Sequence, residues 1–154
     1  MDWLDDWPGL LAFDSNYRPR LWKDAEAARC AVVRAWAASD IALPSLDDET
    51  ALFGDADEAA VLDRLRGYGL SQGALKCGER GPVPLAGARG PTVSFPPSER
   101  VVETTAAGDS FNGAFLAAFL SGAPEEQAML EGHKCATEVI GQRGAIVPTT
   151  PACR

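Results

Sequence analysis

Short apolar runs alternate with longer stretches of helical spacing along this chain. Runs of a few apolar residues closed by an acid, a proline or a glycine-rich turn predict buried strands. The predicted strands lie within residues 10–14, 40–44, 73–81 and 144–148. Apolar positions that recur every three or four residues predict helices. The predicted helices cover residues 24–38, 58–66, 107–121 and 124–140, and one or two short helices start at Asp47 and Asp48. Asp24 and Pro124 are typical of helix starts.

The alternation of strands and helices predicts an α/β fold. We expect a doubly wound, largely parallel sheet with helices on both faces. The segment 82–100, which holds five prolines, is predicted to form a hairpin and loops. In doubly wound sheets ligands bind at the carboxyl ends of the strands. The polar loop SNYRPRLWKD, residues 15–24, follows a predicted strand, so we expect a binding site at that edge of the sheet.

Composition and charge narrow the class of protein. The 154 residues are enough for one domain with a buried core, and 46% hydrophobic residues indicate a globular chain. The formal net charge is -8, which argues against nucleic acid and anionic membrane surfaces as partners. An anionic substrate must therefore be recognised by local cations and backbone N–H groups.

Targeting and redox features indicate a cytoplasmic protein. No stretch of the sequence approaches the roughly 18 apolar residues of a membrane span, and the N-terminus lacks the basic region of a signal peptide. The four cysteines lie far apart and form no C-x-x-C pair, so the spacing predicts neither a zinc site nor a redox dithiol. Scattered thiols are typical of a reducing compartment.

The stretch TTAAGDSFNGAFLAAF, residues 104–119, places one acid where a helix begins. The first N–H groups of a helix have no intrahelical partners and carry a partial positive charge, so small residues there predict an anion site. Asp109, in the first turn, would lie beside that site as a general base. Acids are also common in first turns because the helix dipole favours them. From the residues alone both interpretations stay open.

The same stretch resembles a known signature. ETTAAGDSFNGAFL, residues 103–116, is similar to the carboxyl-terminal D-T-T-[AG]-A-G-D signature of the ribokinase-like (PfkB) sugar kinases. This resemblance implies that Asp109 is the catalytic base. It also implies an anion hole formed by Ala106, Ala107 and Gly108.

Four further blocks resemble the same family in the same order. FDSNYRPRLW looks like a segment of the 2-keto-3-deoxygluconate kinases, a narrower group within it. The others are SDIALPSLDDETALFGD, LKCGERG and GHKCATEVIGQRGAIVP, at residues 39–55, 75–81 and 132–148. The resemblance implies ATP-dependent phosphorylation of 2-keto-3-deoxygluconate or a related sugar, with Mg²⁺ as the metal and sugar acid and ATP as ligands.

The resemblance also suggests binding residues at the loops. Asn16 and Arg18 are expected near the acidic sugar or the transferred phosphate, and the alternative for Arg18 is a solvated loop residue. Ser45 and Asp48 stand where the wider family often carries N-x-x-E, a motif linked to Mg²⁺ and phosphate. Simple capping of a helix by Ser45, Asp47 or Asp48 is an equal alternative.

Three more residues are matched to the family pattern. Lys76 and Gly78 resemble the ATP side of the cleft. Glu103 replaces an Asp at a position associated with a monovalent cation, so a role for K⁺ stays open. The lone histidine, His133, is expected to be structural.

The resemblance covers essentially the whole chain but only part of the family's length. Residues 1–154 are expected to be the carboxyl-terminal half of a kinase domain, without the β lid that the first half supplies. We therefore expect slow or absent phosphorylation by this chain alone, and a homo-oligomer or a separate amino-terminal half as partner. The alternative is a catalytically inactive half that serves as a binding module, or a gene fragment.

Overall fold

The computed structural model describes residues 8–86 and 93–144. The chain divides into two compact units. The sheet unit comprises Met1–Gly78 and Pro82–Pro91, and the helix-pair unit comprises Glu79–Gly81 and Thr92–Arg154. The described strands are β1 (Ala12–Phe13), β2 (Ile41–Ala42), β3 (Gln72–Leu75) and β4 (Val83–Pro84). The described α-helices are α1 (Ala25–Ala38), α2 (Leu46–Phe53), α3 (Glu58–Gly67), α4 (Ala107–Leu120) and α5 (Glu125–Ile140).

The sheet is open and mostly parallel. Its strand order is β1-β2-β3-β4, with β1 and β3 both parallel to β2 and β4 antiparallel to β3. Strands β3 and β4 form an antiparallel hairpin. Because β3 precedes the proline-rich segment, this is not the hairpin predicted within residues 82–100, part of which lies outside the described residues. Leu75 faces Val83 in the β3–β4 register. The predicted strand at residues 144–148 falls almost entirely on residues outside the described part of the chain.

Helices α1, α2 and α3 share one apolar core with the sheet. Trp36 from α1, Leu52 from α2 and Leu65 from α3 are all fully buried in it. Ala42 of β2 belongs to the same cluster. Its neighbours in the chain, Ile41 and Leu43, point to the opposite side of the sheet and are also buried. Both faces of this strand are therefore covered, which confirms the predicted α/β class.

The caps of these helices follow the sequence signals. The Asp24 side chain accepts a hydrogen bond from the N–H of Ala27 at 2.8 Å, as an N-cap residue should. Asp57 does the same for α3. The predicted end of α3 at Arg66 is wrong by one residue, because Gly67 still continues the helix and Tyr68 caps it.

One glycine in the sheet is required by close packing of the backbone. Gly73 in β3 has a φ of +118°, and a Cβ placed there would lie 1.9 Å from the carbonyl oxygen of Ala42. Any larger residue would push β2 and β3 apart. The glycine thus keeps the carboxyl ends of these two strands at hydrogen-bonding distance.

Helices α4 and α5 of the helix-pair unit form an αα-hairpin, and aromatic rings stack along α4. Phe111, Phe115 and Phe119 stack along α4 with ring centroids 6.0 and 5.5 Å apart. A Cβ on Gly132 of α5 would lie 2.9 Å from the ring of Phe111, so this glycine permits the close contact. His133 is buried, and its Nε2 lies 2.7 Å from the carbonyl oxygen of Pro96. None of the helices in the described ranges is long and apolar enough to span a membrane.

Candidate active site

The carboxyl ends of β1, β2 and β3 bring three predicted loops together in the sheet unit. The N–H of Lys76 donates to the carbonyl of Pro44 at 2.9 Å, and Leu46 donates to the carbonyl of Lys76 at 2.9 Å. Ser45 and Lys76 are therefore paired as a parallel bridge. The Lys76 ammonium lies 2.5 Å from Oδ2 of Asp14, at the end of β1. An ion pair thus joins the first and third loops.

The loop after β1 holds Asn16 and Arg18 on the surface. The Asn16 side chain is exposed, its φ is +38°, and its N–H donates to Oδ1 of Asp14 at 3.1 Å. Nη1 of Arg18 donates to the carbonyl of Tyr17 at 2.9 Å and lies 3.3 Å from Oδ1 of Asp48. The Arg18 side chain is 56% exposed, and its role in binding stays a prediction. The predicted sugar-side arginine and the predicted metal-side acid are neighbours.

Ser45 caps helix α2. Its hydroxyl accepts a hydrogen bond from the N–H of Asp48 at 3.3 Å, which is the capping alternative left open by the sequence. The described residues contain no group of three His, Cys, Asp or Glu side chains that could hold a metal ion. Mg²⁺ in kinases is commonly held by one or two carboxylates together with phosphates and water. The partly exposed carboxylate of Asp48 suits that mode of binding, and its metal role stays a prediction.

Gly78 lies beyond β3 in an exposed turn. It has a φ of +57° and begins the 3₁₀ turn Gly78–Arg80. A Cβ placed there would meet nothing within 4 Å, so the positive φ and not crowding favours glycine. The turn leaves its backbone open to a ligand.

In the helix-pair unit, α4 begins with a strained residue. Ala106 is in the left-handed region, with φ 61° and ψ 9°, where a residue with a Cβ costs about 1–2 kcal/mol. The N–H of Ala107 donates to the carbonyl of Thr104 at 3.2 Å. Within residues 8–86 and 93–144, the N–H groups of Ala106, Gly108 and Asp109 donate to no protein acceptor. The predicted anion hole thus offers free donors, although Ala107 is engaged.

Asp109 is exposed in the first turn of α4. No lysine or arginine of the described residues forms an ion pair with it. A general base must be reachable by its substrate, and this carboxylate is reachable. Its role as base stays a prediction, since exposure alone also fits an ordinary first-turn acid.

The Glu103 carboxylate joins two segments of the same unit by a hydrogen bond. It accepts from the N–H of Gly144 at 3.1 Å and is hydrogen-bonded to the side chain of Thr105. These hydrogen bonds, led by that from Gly144, lower the pKa of Glu103. Engagement by an N–H donor leaves less of this carboxylate for a cation. The predicted K⁺ role gains no support from these contacts and stays a prediction.

Sequence reasoning missed a buried network in the sheet unit. Ser15, Glu49, Asp55 and Arg64 form it, and we call them the buried network. Glu49 is 0% exposed, and its carboxylate contacts Ser15 and Arg64. The signal was present, because Glu49 follows Leu46 by three residues and precedes Leu52 by three. It therefore lies on the apolar stripe of α2, where an acid needs partners.

Comparisons with known proteins show the family of the chain. Residues 9–153 match the family described as pfkB family carbohydrate kinase. The chain is 40% identical over 146 residues to 2-dehydro-3-deoxygluconokinase of Dickeya dadantii (strain 3937), covering 91% of this chain and 46% of that protein. It is 39% identical over 144 residues to the protein of the same name from Escherichia coli (strain K12), with coverage of 91% and 46%. The chain thus spans less than half the length of these relatives.

A solved structure confirms the fold. Aminoimidazole riboside kinase from Salmonella enterica, crystallised with aminoimidazole riboside and an ATP analog, matches with a TM-score of 0.76. The sequences are 22% identical, and the match covers 92% of this chain and 49% of that one. At this identity the likeness shows the fold alone, and the ribokinase-like architecture expected from the sequence is confirmed. With the family match over nearly its whole length, the chain belongs to the pfkB family of carbohydrate kinases.

Proposed function

We propose that residues 1–154 are the carboxyl-terminal half of a pfkB-type kinase domain that phosphorylates 2-keto-3-deoxygluconate, also named 2-dehydro-3-deoxygluconate. The observation that carries this proposal is the 40% identity over 146 residues to the 2-dehydro-3-deoxygluconokinase of Dickeya dadantii. The second candidate is an inactive half that binds a partner. This second candidate is retained because the chain covers only 46% of the length of that relative.

The helix-pair unit would supply the chemistry of transfer. Asp109 would take the proton from the primary hydroxyl of the sugar as that oxygen attacks the γ-phosphoryl of ATP. The free N–H groups of Ala106 and Gly108, together with the helix dipole, would stabilise the charge on the transferred group. These small residues let a phosphoryl group approach the backbone closely.

The sheet unit would recognise the anions. Arg18 presents an exposed guanidinium that can bind a carboxylate through two hydrogen bonds, with the Asn16 amide close by in the chain. Lys76 and Gly78 would lie on the nucleotide side, and Asp48 would hold Mg²⁺ through water and phosphate. Bound there, Mg²⁺ would supply positive charge against the phosphates of ATP. K⁺, where bound, would be held by the carboxylate of Glu103.

The test compares two forms of the protein. The chain is assayed alone and as a fusion with the amino-terminal half of the Dickeya dadantii relative, using ATP, Mg²⁺ and a panel of sugars. The two halves of that relative, joined in the same way, serve as the control. We expect the fusion to release ADP with 2-keto-3-deoxygluconate in preference to fructose or ribose, and the chain alone to be slow.

An inactive fusion that is folded, beside an active control, would contradict the proposal. That result would favour the binding module. Preference for another sugar would retain the kinase activity and change the substrate. Equal rates with Na⁺ and K⁺ would remove the predicted cation role of Glu103.

A further inference from the structure

The buried network places an acid where acids are rarely found. Oγ of Ser15 donates to Oε1 of Glu49 at 2.5 Å, and Nη2 of Arg64 donates to Oε2 at 2.8 Å. Both carboxylate oxygens are therefore engaged. Arg64 also pairs with Asp55 at 2.6 Å, and its guanidinium stacks on the ring of Phe53 at 3.8 Å. The network fixes Glu49 from two sides.

Such a network adds little net stability. Removing a buried carboxylate from water costs about as much as its ion pair returns, and apolar replacements of buried ion pairs are often neutral or stabilising. One nitrogen of Arg64, Nη1, is buried without a partner among the described residues. We therefore expect the buried network to fix the positions of the residues bonded to it more than to raise the free energy of unfolding.

The element that it holds is the loop after β1. Ser15 lies between Asp14, which is paired with Lys76, and Asn16, whose φ of +38° is unusual for a residue with a side chain. Its hydroxyl is anchored 34 residues away in sequence, on α2. Two positions further, Tyr17 is buried in the core and Arg18 returns to the surface. The tie to Glu49 thus acts at the centre of the segment that presents Asn16 and Arg18.

We propose that Glu49 is a positioning residue, which through Ser15 holds this loop in the conformation that presents Asn16 and Arg18 to the sugar acid. The inference rests on the proposed function, because it assigns the loop to the sugar acid. Glu49 itself touches no ligand in this account. Its action passes through one hydrogen bond.

The experiment removes only that bond. Ser15→Ala deletes the donor and leaves Glu49, Asp55 and Arg64 in place, whereas Ser15→Thr keeps a hydroxyl. Ser39→Ala is the matched control, since Oγ of Ser39 donates to the carbonyl of Ala35 at 2.6 Å in the same unit. Each variant of the full chain, and of the fusion described above, is examined by amide hydrogen exchange and by titration with 2-keto-3-deoxygluconate.

In Ser15→Ala we expect faster amide exchange across residues 15–18 and about tenfold weaker binding of the sugar acid, the usual effect of losing a hydrogen bond to a charged group. The affinity for ATP should stay within about twofold, and Ser15→Thr should restore both properties. Ser39→Ala should change neither. Equal exchange in Ser15→Ala and Ser39→Ala, or faster exchange with unchanged sugar-acid affinity, would overturn the proposal.

The experiment distinguishes failure of the proposed substrate from failure of the positioning role of Glu49. If the unsubstituted fusion binds no sugar acid, the proposed substrate is wrong, and the exchange comparison alone decides whether Glu49 positions the loop. Faster exchange confined to residues 15–18 of Ser15→Ala supports the positioning role. Unchanged exchange there overturns it.

Discussion

At the scale of single residues, the proposed phosphoryl transfer depends most on the start of α4. Ala106 adopts a left-handed conformation that strains any residue with a Cβ, and it is followed by a residue in ordinary helical geometry. Such strain persists only where the surrounding structure imposes it, and it is frequent at ligand sites. The N–H groups beside Ala106 at the helix start have no intrahelical partner, as at any helix start.

This strain predicts opposite effects for one substitution at two adjacent sites. Ala106→Gly relieves the left-handed strain, which offsets the greater freedom of the unfolded chain, so the free energy of unfolding should be unchanged or rise by up to about 1 kcal/mol. Ala107→Gly, in the helix itself, should lower it by about 0.5–1 kcal/mol. Urea denaturation measures both. Equal losses in the two variants would show that Ala106 is not strained.

The buried acid gives a prediction for pH. Burial raises the pKa of Glu49 above its ordinary value of 4.5, despite the opposing hydrogen bonds from Ser15 and Arg64. Between 4.5 and that raised value the folded chain binds a proton that the unfolded chain has lost, so stability falls as pH rises through this window. The contribution of Glu49 is complete below pH 4.5 and lost above the folded pKa.

Glu49→Gln should remove this dependence. We expect the stability of the original chain, measured relative to Glu49→Gln by urea denaturation, to decline as pH rises above 4.5 and to level off once the folded pKa of Glu49 is passed. Glu138→Gln, an exposed acid of α5, is the control and should run parallel to the original chain. A difference between the original chain and Glu49→Gln that does not change with pH would refute the shift.

At the scale of elements, helix packing depends on one glycine. Gly132 of α5 faces the ring of Phe111, and an added Cβ would also lie 3.0 Å from the carbonyl oxygen of Phe111, which cannot move aside. Gly132→Ala should therefore lower the free energy of unfolding by about 1–3 kcal/mol. In α4, a Cβ on Gly113 meets nothing within 4 Å, so Gly113→Ala should raise it by up to about 1 kcal/mol. Thermal unfolding of the two variants should shift in opposite directions, and shifts of the same sign would contradict this packing.

The elements were largely predictable from sequence, and their long-range contacts were not. Helices α1, α4 and α5 follow from apolar spacing and from the start signals at Asp24 and Pro124, which are local properties. The ion pair between Asp14 and Lys76 joins residues 62 positions apart. Such a contact depends on the order of strands in the sheet, which local patterns do not encode. The first two strands are shorter than predicted. Strands β1 and β2 each contribute only two residues to the sheet.

The residues of the candidate site could be proposed from the sequence, but the contacts between them could not. Family resemblance suggested Arg18, Asp48 and Asp109 as site residues, and these roles stay predictions, but it did not show that Arg18 and Asp48 contact each other at 3.3 Å. Nor did it show that Ser45 is occupied by capping α2. Glu49 was missed because an acid beside Asp47 and Asp48 resembled part of a solvated helix start. Its spacing of three residues from Leu46 and from Leu52 was present in the sequence, but its contacts with Ser15 and Arg64 became clear only from the structure.

At the scale of the whole molecule, an acidic chain is proposed to act on acidic ligands. With a net charge of -8, long-range attraction cannot draw ATP or a sugar acid to its surface. Under the proposed function, recognition would come from a few local groups, such as Arg18, Lys76 and the N–H groups of Ala106 and Gly108. Arg18 and Lys76 belong to the sheet unit, and the start of α4 belongs to the helix-pair unit.

The central claim is that Asp109 acts as the base of phosphoryl transfer, and Asp109→Asn tests it most directly. The amide keeps the shape of the side chain but cannot accept the proton, so the transfer rate in the fusion should fall by at least about 10²-fold. The affinity for ATP, measured by titration calorimetry, should stay within about twofold. A variant that retains its rate, or one that loses ATP affinity as much as rate, would contradict the account.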